Sequence, residues 1–91
     1  MNTMTGQVAF HTNKDILYID LIGRIDTTNA AAVEEDIQTI RNGHPGLPIV
    51  LDADRLSYIS SAGLRVIMRL RKQEPKLALI NAAPEERRFQ Q

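Results

Sequence analysis

The stretch Ser60-Ser61-Ala62-Gly63-Leu64-Arg65-Val66-Ile67 places two adjacent hydroxyl groups at the start of a predicted amphipathic helix. It follows a short apolar run, Ile49-Val50-Leu51-Asp52-Ala53, that predicts a buried strand. The first turn of an α-helix has unpaired N–H groups and a partial positive charge. A helix start of this kind tolerates an attached oxyanion, so the stretch predicts a place for a modification as well as a strand-to-helix connection.

Each of the two serines has a structural and a functional interpretation. Serine is among the preferred N-cap residues, where its side chain stabilises a helix by about 1 kcal/mol. A serine at this position can instead accept a phosphoryl group, whose charge meets donors already in place. Position alone does not choose between them, and both interpretations stay open.

The length and the charge of the chain limit which classes of protein and of binding partner are possible. A chain of 91 residues predicts one small domain over 1–91, with no room for a second. It has 11 basic and 11 acidic residues and a formal net charge of zero, so its overall charge favours neither nucleic acid nor an anionic membrane. We expect protein or small-molecule partners.

The absence of cysteine excludes disulfides, thiolate metal sites and thiol nucleophiles, and it is typical of a reducing compartment. Residues 1–7 carry no basic or apolar targeting region. No apolar run approaches the roughly 18 residues of a membrane span. The sequence therefore predicts a soluble cytoplasmic protein.

Hydrophobic periodicity predicts two strands and a helix before the serine stretch. A dense β-branched and aromatic run predicts a central strand over 16–22, closed by Gly23, with a weaker antiparallel edge strand over 8–11. Apolar residues at helical spacing follow the polar cluster 26–29 and predict a helix. That helix ends at Asn42-Gly43, with Gly43 in a left-handed conformation.

The remaining elements are a bridging loop, a second helix and a last strand. The loop covers 54–59, and we expect it to bury Leu56, Tyr58 and Ile59. The helix runs from about 62 to 72, and the strand covers 76–80. The order strand, strand, helix, strand, helix, strand predicts a small α/β layer structure with a mixed four-stranded sheet. A right-handed crossover joins its parallel strands.

The predicted second helix has two faces, because successive residues are about 100° apart around its axis. Its apolar face carries Gly63, Val66, Ile67 and Leu70. Its opposite face carries Arg65, Arg69 and Lys72, which form either a solvated surface or a rim that docks an acidic partner. Leu64 and Met68 lie on a flank, as either peripheral core or part of an exposed contact patch.

Catalytic motifs are missing from the chain. His11 and His44 lack the spacing of a metal pair, and we interpret both as surface histidines. The five glycines form no phosphate-binding loop, so any nucleotide must come from a partner. Neither serine has the preceding glycine that a nucleophile elbow requires. We expect no enzyme activity, no metal site and no cofactor.

Two aspartates lie at or just after the ends of predicted strands. Asp26 lies at the same end of the parallel sheet as the serine pair, where it either places a carboxylate beside the hydroxyls or caps the first helix. Asp52 either holds the following loop or is a solvated strand-end residue. Both sets of alternatives stay open.

Three segments together resemble the signature of STAS domains, in particular of bacterial anti-sigma factor antagonists. The first is Ile49-Val50-Leu51-Asp52 followed by 56–67. The second is the strand-to-helix segment 21–29, which is similar to the family's G-x-[IL]-D. The third is Leu79-Ile80-Asn81. The resemblance covers about residues 7–84 and leaves 85–91 as a short charged tail. It implies a STAS-type layer fold with helices packed on one face of the sheet.

The resemblance also implies a phosphorylation-controlled partner switch. In such proteins the unphosphorylated antagonist binds an anti-sigma factor that is also a serine kinase, and so frees the sigma factor. Phosphorylation releases the antagonist, and a metal-dependent serine phosphatase resets it. The kinase supplies ATP and magnesium. The alternative is a STAS module that acts as a constitutive scaffold or interaction module without phosphorylation.

The family's D-S-[ST]-G segment falls on Ser60-Ser61-Ala62-Gly63, which makes Ser61 the expected phosphoacceptor and Ser60 the fallback. The segment departs from the family pattern where Ser60 replaces the aspartate and Ala62 replaces a hydroxyl residue. The expected partner surface combines the loop after the central strand, the serine pair and one edge of the second helix. It comprises Asp26, Thr27, Ser60, Ser61, Ala62, Leu64, Arg65, Met68 and Arg69.

The C-terminus departs from the family as well. STAS domains usually continue with another helix that covers the sheet, whereas here Pro84 is followed by a short polar segment with one large apolar side chain. We expect a truncated C-terminal helix that leaves Leu77, Leu79 and Ile80 without cover. A homodimer that buries this patch follows as an expectation.

Overall fold

The computed structural model describes residues 6–82, which form four strands and two helices in the predicted order. In chain order they are β1 Val8–Asn13, β2 Ile16–Ile25, α1 Ala30–Asn42, β3 Ile49–Ile59, α2 Ser61–Gln73 and β4 Ala78–Ile80. The strands lie side by side in the order β1-β2-β3-β4, with β1 antiparallel to β2 and the other neighbours parallel. The predicted mixed four-stranded sheet is confirmed.

One hydrophobic core lies between the two helices and a single face of the sheet. Side chains alternate between the faces of a strand, and the alternate residues Leu17, Ile19 and Leu21 of β2 are buried. They belong to the same cluster as the apolar stripes of α1 and α2. Both helices therefore pack on one face of the sheet, as the resemblance implies.

A two-residue turn joins β1 to β2. Lys14 and Asp15 both have positive φ, 52° and 64°, which is the geometry of a turn that matches the twist of a hairpin. The strands pair regularly from Val8 opposite Leu21 to Asn13 opposite Ile16. The edge strand is therefore longer than the predicted segment 8–11.

The third strand absorbs the segment 54–59 that the sequence predicts as a loop. Asp20 pairs with Asp52 and Ile25 pairs with Ile59, so β3 spans the same distance as β2 with more residues. Two register shifts between these pairs place the extra residues in bulges of β3. Tyr58 is 38% exposed, so its predicted burial under a loop is wrong, whereas Leu56 and Ile59 do pack on the core.

Two glycines differ from their predicted roles. Gly23 does not close β2 but lies within it at φ +73°, beside a register shift where a positive φ suits glycine. Gly43 follows α1 at φ −79°, so the predicted left-handed conformation is wrong. Its amide continues the helical pattern by donating to the Thr39 and Ile40 carbonyls at 3.2 and 3.1 Å.

The far edge of the sheet is formed by the short strand β4. Leu77 is buried in the core at 4% exposure, so the expectation that it lacks cover is wrong. Leu79 and Ile80 are 40% and 37% exposed. The segment after Pro84 and the truncated helix expected there lie outside the described residues, and the homodimer expected from them stays a prediction.

Candidate functional site

The ends of β2 and β3 bring the serine pair and the Asp26 loop to one edge of the sheet. Ile25 pairs with Ile59 in parallel register. The Ser60 amide donates a hydrogen bond to the Ile25 carbonyl at 2.9 Å. Because Asp26 follows Ile25, the loop after β2 and the start of α2 are adjacent, as the sequence predicts for the carboxyl ends of parallel strands.

Ser60 is the N-cap of α2. Its backbone is extended at φ −85° and ψ 174°, and its hydroxyl accepts a hydrogen bond from the Gly63 amide at 3.3 Å. Its carbonyl accepts the first helical hydrogen bond from the Leu64 amide at 2.9 Å. The structural interpretation therefore applies to Ser60, whose side-chain oxygen satisfies one of the free donors of the helix start.

Gly63 lets the first turn of α2 approach the sheet closely. A Cβ atom at this position would lie 2.6 Å from Cγ1 of Ile59 and 2.9 Å from Cγ2 of Ile25. These separations are too short for carbon atoms that are not bonded to each other. The ends of the two central strands thus fix where the helix starts, and with it the position of the serine pair.

Ser61 is the first residue of α2 and is exposed. Within residues 6–82 its hydroxyl has no hydrogen-bond partner, in contrast to that of Ser60. It stands at the positive end of the helix macrodipole. Ala62, which follows, is partly buried and packs on the core, so it presents little side-chain surface to a partner.

The Asp26 carboxylate organises its own loop. Its Oδ1 accepts hydrogen bonds from the Thr28 hydroxyl at 2.6 Å and the Thr28 amide at 3.0 Å, and its Oδ2 accepts one from Arg24 Nε at 3.2 Å. The Thr28 hydroxyl is the main cause that lowers the pKa of Asp26. The N-cap position of α1 belongs to Asn29, so of the two alternatives for Asp26 the helix cap is excluded. Thr27, the next residue, is exposed.

Arg24 and Tyr58 form a contact at this edge that the sequence analysis missed. The two residues pair across β2 and β3, and the Arg24 guanidinium carbon lies 4.3 Å from the centroid of the Tyr58 ring. A cation over an aromatic face at this distance is attracted by the ring quadrupole. The sequence would reveal this contact only if β3 were extended through residue 59, because that extension places the two residues opposite each other.

The outward surface of α2 exposes an apolar contact patch. Met68 is 63% exposed and Leu64 is 36% exposed, which decides against assigning Met68 to the periphery of the core. Arg65, Met68, Arg69 and Lys72 line a shallow depression of about 180 Å³. Such a surface suits a partner that places an apolar side chain against the exposed methionine and acidic side chains against the surrounding cations.

The cations of this surface are not equivalent. Arg69 donates two hydrogen bonds to Glu34 of α1, at 2.9 and 2.7 Å, and these raise the pKa of Arg69 while they lower that of Glu34. Among the described residues Arg65 forms no ion pair. Arg65 is therefore the better candidate for a partner contact, and Arg69 connects α2 to α1.

Asp52 lies inside β3 rather than at its end. Its Oδ1 accepts hydrogen bonds from the Asn81 side chain at 2.9 Å and from the Asp54 amide at 3.0 Å, and both lower its pKa. The bond from Asn81 holds the chain that follows β4. The loop-holding alternative therefore applies to that segment and not to the residues directly after Asp52. Neither of these hydrogen bonds involves Ser60 or Ser61.

The histidines lie apart from the serine edge. His11 stacks on Tyr18 at a ring separation of 4.9 Å, and His44 is half-buried with Nδ1 donating to the Ile40 carbonyl at 2.9 Å. Residues 6–82 contain no group of acidic and histidine side chains arranged to hold a metal ion. In the same range no helix has the length and apolarity to cross a bilayer.

Solved structures share this fold. The anti-sigma factor antagonist SpoIIAA in its unphosphorylated form is 20% identical, with a TM-score of 0.67 over 90% of this chain and 79% of that one. An anti-sigma factor antagonist from Mycobacterium paratuberculosis is also 20% identical, with a TM-score of 0.77 over 90% and 72%. An uncharacterized DUF3478-family protein with a SpoIIAA-like fold, from Shewanella loihica, is 14% identical, with a TM-score of 0.56 over 87% and 69%.

Sequence comparison gives the family directly. No curated protein sequence matches the chain. The family model of the STAS domain, however, matches residues 7–89, which reaches past the expected boundary at residue 84. With the match covering nearly the whole chain, and with a mixed sheet that carries both helices on one face, the protein belongs to the STAS domain family.

Proposed function

We propose that the protein is an anti-sigma factor antagonist whose binding to an anti-sigma factor is controlled by phosphorylation of Ser61. The observation that carries this proposal is the difference between the two serines. The Ser60 hydroxyl is used as the helix cap, whereas Ser61 is exposed one residue later. Membership of the STAS family and the shared fold of two antagonists support it.

The proposed chemistry requires ATP bound by the partner. The Ser61 Oγ forms a bond to the γ-phosphorus of that ATP, the bond to ADP breaks, and the hydroxyl proton passes to the kinase. The product carries about −1.5 to −2 charges at neutral pH. The N-terminus of α2 stabilises this charge within the folded protein, because it presents N–H groups and the positive end of the helix dipole.

The same charge opposes binding to a surface that fits a neutral hydroxyl. We place that surface on Ser61, Leu64, Arg65 and Met68, with the Asp26 loop at its border. The apolar patch and the unpaired Arg65 favour a partner that offers an apolar side chain next to a carboxylate. A phosphate on Ser61 adds repulsion toward such a carboxylate and a desolvation cost, so the complex dissociates.

In this proposal the protein is a regulatory module in the cytoplasm and not an enzyme. Its partners are an anti-sigma factor serine kinase and a metal-dependent serine phosphatase that restores the hydroxyl. The alternative, a constitutive STAS scaffold, is favoured by one feature of the site: serine replaces aspartate at position 60 of the family segment. In that case Ser61 has no role beyond its place in the helix.

The deciding experiment incubates the protein with its anti-sigma factor kinase and ATP and locates phosphate by mass spectrometry. We expect phosphate on Ser61 in the wild type and in Ser60→Ala, and none in Ser61→Ala. The phosphorylated form should elute separately from the kinase in size-exclusion chromatography. Binding of the kinase without any phosphorylation would establish the constitutive alternative, and phosphate on Ser60 alone would overturn the assignment of the site.

A further inference from the structure

The outer edge of β1 is an unoccupied pairing edge within residues 6–82. In the order β1-β2-β3-β4 the strand β1 is terminal, and no described strand lies beyond it. An edge strand presents a row of N–H and C=O groups that can pair with another chain. Natural edge strands usually carry features that prevent such pairing.

The hydrogen-bond pattern shows which residues of β1 turn their backbone groups outward. The Ile22 amide donates to the Gln7 carbonyl at 2.8 Å, so Gln7 faces β2. Hydrogen-bonded and non-hydrogen-bonded pairs alternate along an antiparallel ladder. The backbone groups of Val8, Phe10 and Thr12 therefore point away from β2, into the space beyond the sheet.

The strand lacks the features that usually protect an edge. Val8–Asn13 contains no proline and no Lys, Arg, Asp or Glu, and it pairs with β2 without a register shift. The opposite edge is different, because β4 has only 3 residues and is followed at once by Asn81, whose φ of 59° is left-handed. Of the two sheet edges formed by residues 6–82, β1 is the long, regular one.

We propose that β1 is the interface of a symmetric homodimer, in which the same strand of a second copy pairs with it antiparallel about a two-fold axis at Phe10. Phe10 then opposes Phe10 of the partner subunit, and Val8 of each copy opposes Thr12 of the other. Each of these three residues gives one donor and one acceptor to the partner. The two sheets become one continuous sheet, which closes the edge.

The occupant is a second copy because the edge is complementary to itself. Antiparallel pairing about Phe10 places residues of the same sheet face opposite each other, and because Val8–Asn13 contains no Lys, Arg, Asp or Glu, two copies of the strand meet without like-charge repulsion. The Phe10 ring, in edge contact with His44 at 5.3 Å, is still 38% exposed and gains an aromatic cross-strand neighbour.

The dimer leaves the proposed partner surface free. Helix α2 contacts β3, two strands away from the β1 edge, and Ser61 begins that helix. The inference is therefore independent of the phosphorylation proposal, and each can fail without the other. It also differs from the expected dimer through the exposed Leu79 and Ile80, which lie at the opposite edge.

Sedimentation velocity of the full chain tests the proposal from micromolar to submillimolar concentration. We expect the 10.2 kDa monomer to associate to about twice that mass. Thr12→Pro removes an outward N–H that faces solvent in the monomer, so it should fold normally yet weaken association by about tenfold or more. The matched control Thr12→Val keeps the amide and should associate as the wild type does.

Amide hydrogen exchange gives a second, position-specific readout. The amides of Val8, Phe10 and Thr12 should gain protection as concentration rises, while those of Ala9 and His11 are protected throughout by β2. If Thr12→Pro proves unfolded, Phe10→Lys replaces it: like charges opposite each other should weaken the dimer, and added salt should partly restore it.

Three results would overturn the proposal. They are a monomer at every concentration, a dimer that both edge variants leave intact, and protection of the outward amides that does not depend on concentration. The last would mean that another part of the same chain occupies the edge. A dimer lost in Ile80→Lys but kept in Thr12→Pro would place the interface at β4 instead.

Discussion

The hydroxyl of Ser60 accepts a hydrogen bond from the amide of Gly63 at 3.3 Å, and this contact gives two adjacent serines different roles. Ser60 stabilises the start of α2, because it satisfies a donor that has no partner within the helix. Ser61 lies one residue further, exposed and without such a bond among the described residues. The difference can be measured at each serine separately.

Removing the cap should cost stability without removing the proposed phosphoacceptor. Ser60→Ala leaves the Gly63 amide without its partner, and we expect a loss of about 1 kcal/mol in the free energy of unfolding. For a chain of this size that corresponds to a fall in Tm of roughly 4–8 °C. Ser61→Ala is the matched control and should unfold within a degree or two of wild type. Equal losses in both variants would contradict the assignment of the cap.

A negative charge at position 61 should change binding and not folding. Ser61→Asp places a carboxylate at the positive end of α2, where the helix tolerates it, so its Tm should stay within a few degrees of wild type. Its affinity for the proposed anti-sigma factor partner should fall, as measured by isothermal titration calorimetry. Ser61→Asn is the neutral control of similar size. If the aspartate variant binds as tightly as the asparagine variant, charge at this position does not control the interface.

Gly63 should be harder to replace than Gly43, the other glycine with a negative φ. The Cβ of Gly63→Ala falls 2.6 Å from Ile59 Cγ1, so the helix start or the strand end must shift, at a cost of about 1–3 kcal/mol. Gly43→Ala is the control, because its Cβ meets nothing closer than the Ile40 carbonyl oxygen at 3.5 Å. Chemical denaturation of both variants checks the difference.

A double-mutant cycle can locate the cause of that loss. Ile59→Ala removes the atom nearest to the added Cβ, so the combination with Gly63→Ala should cost less than the sum of the two single changes. Strict additivity would show that the crowding lies elsewhere.

Charge reversal on α2 and charge reversal on α1 should have different effects on partner binding. Arg65→Glu should weaken partner binding and alter its dependence on ionic strength, because charges at the rim act through steering. Glu35→Lys on α1 is the control and should leave binding unchanged. Surface plasmon resonance at several salt concentrations makes the comparison. Similar effects of both variants would mean that the arginine face is only a solvated surface.

The ion pair between Glu34 and Arg69 should give a characteristic pH dependence of stability. Hydrogen bonds from Arg69 hold the pKa of Glu34 below its usual value of 4.5. A carboxyl whose pKa is lowered by folding contributes stability that is present above the unfolded pKa and is lost as pH falls through the folded pKa. The difference in Tm between wild type and Glu34→Gln should therefore be constant near neutral pH and shrink below about pH 4.5. A difference that does not shrink as the pH falls through the acidic range would assign the effect to packing.

Much of the fold follows from local patterns in the sequence. The order of elements, the helix start after Ser60 and the inward face of α2 depend on hydrophobic periodicity and capping, which act over a few residues. The extension of β3 over 54–59 does not, because it depends on pairing with β2 and on bulges, whose positions no local pattern specifies. For this reason the sequence predicts Tyr58 to lie buried under a loop, whereas it is exposed on a strand.

The sequence predicts the position of the candidate site better than the contacts within it. The sequence places Ser60, Ser61 and Asp26 together, since parallel strands end at one edge. It does not reveal that Asp26 bonds to Thr28 instead of capping α1, or that Arg69 pairs with Glu34 across the helix layer. These contacts join residues whose proximity depends on the packing of whole elements, so only the assembled fold shows them.

The bulges of β3 have a consequence for comparing this chain with its relatives. Between Asp52 and Ile59 the strand holds two residues more than the facing segment Asp20 to Ile25, yet both ends stay in register. A related chain can therefore lose or gain a residue inside this strand and keep its serine segment in the same place. Alignments at the level of 20% identity that allow gaps only in loops would then shift Ser60 and Ser61 onto the wrong columns.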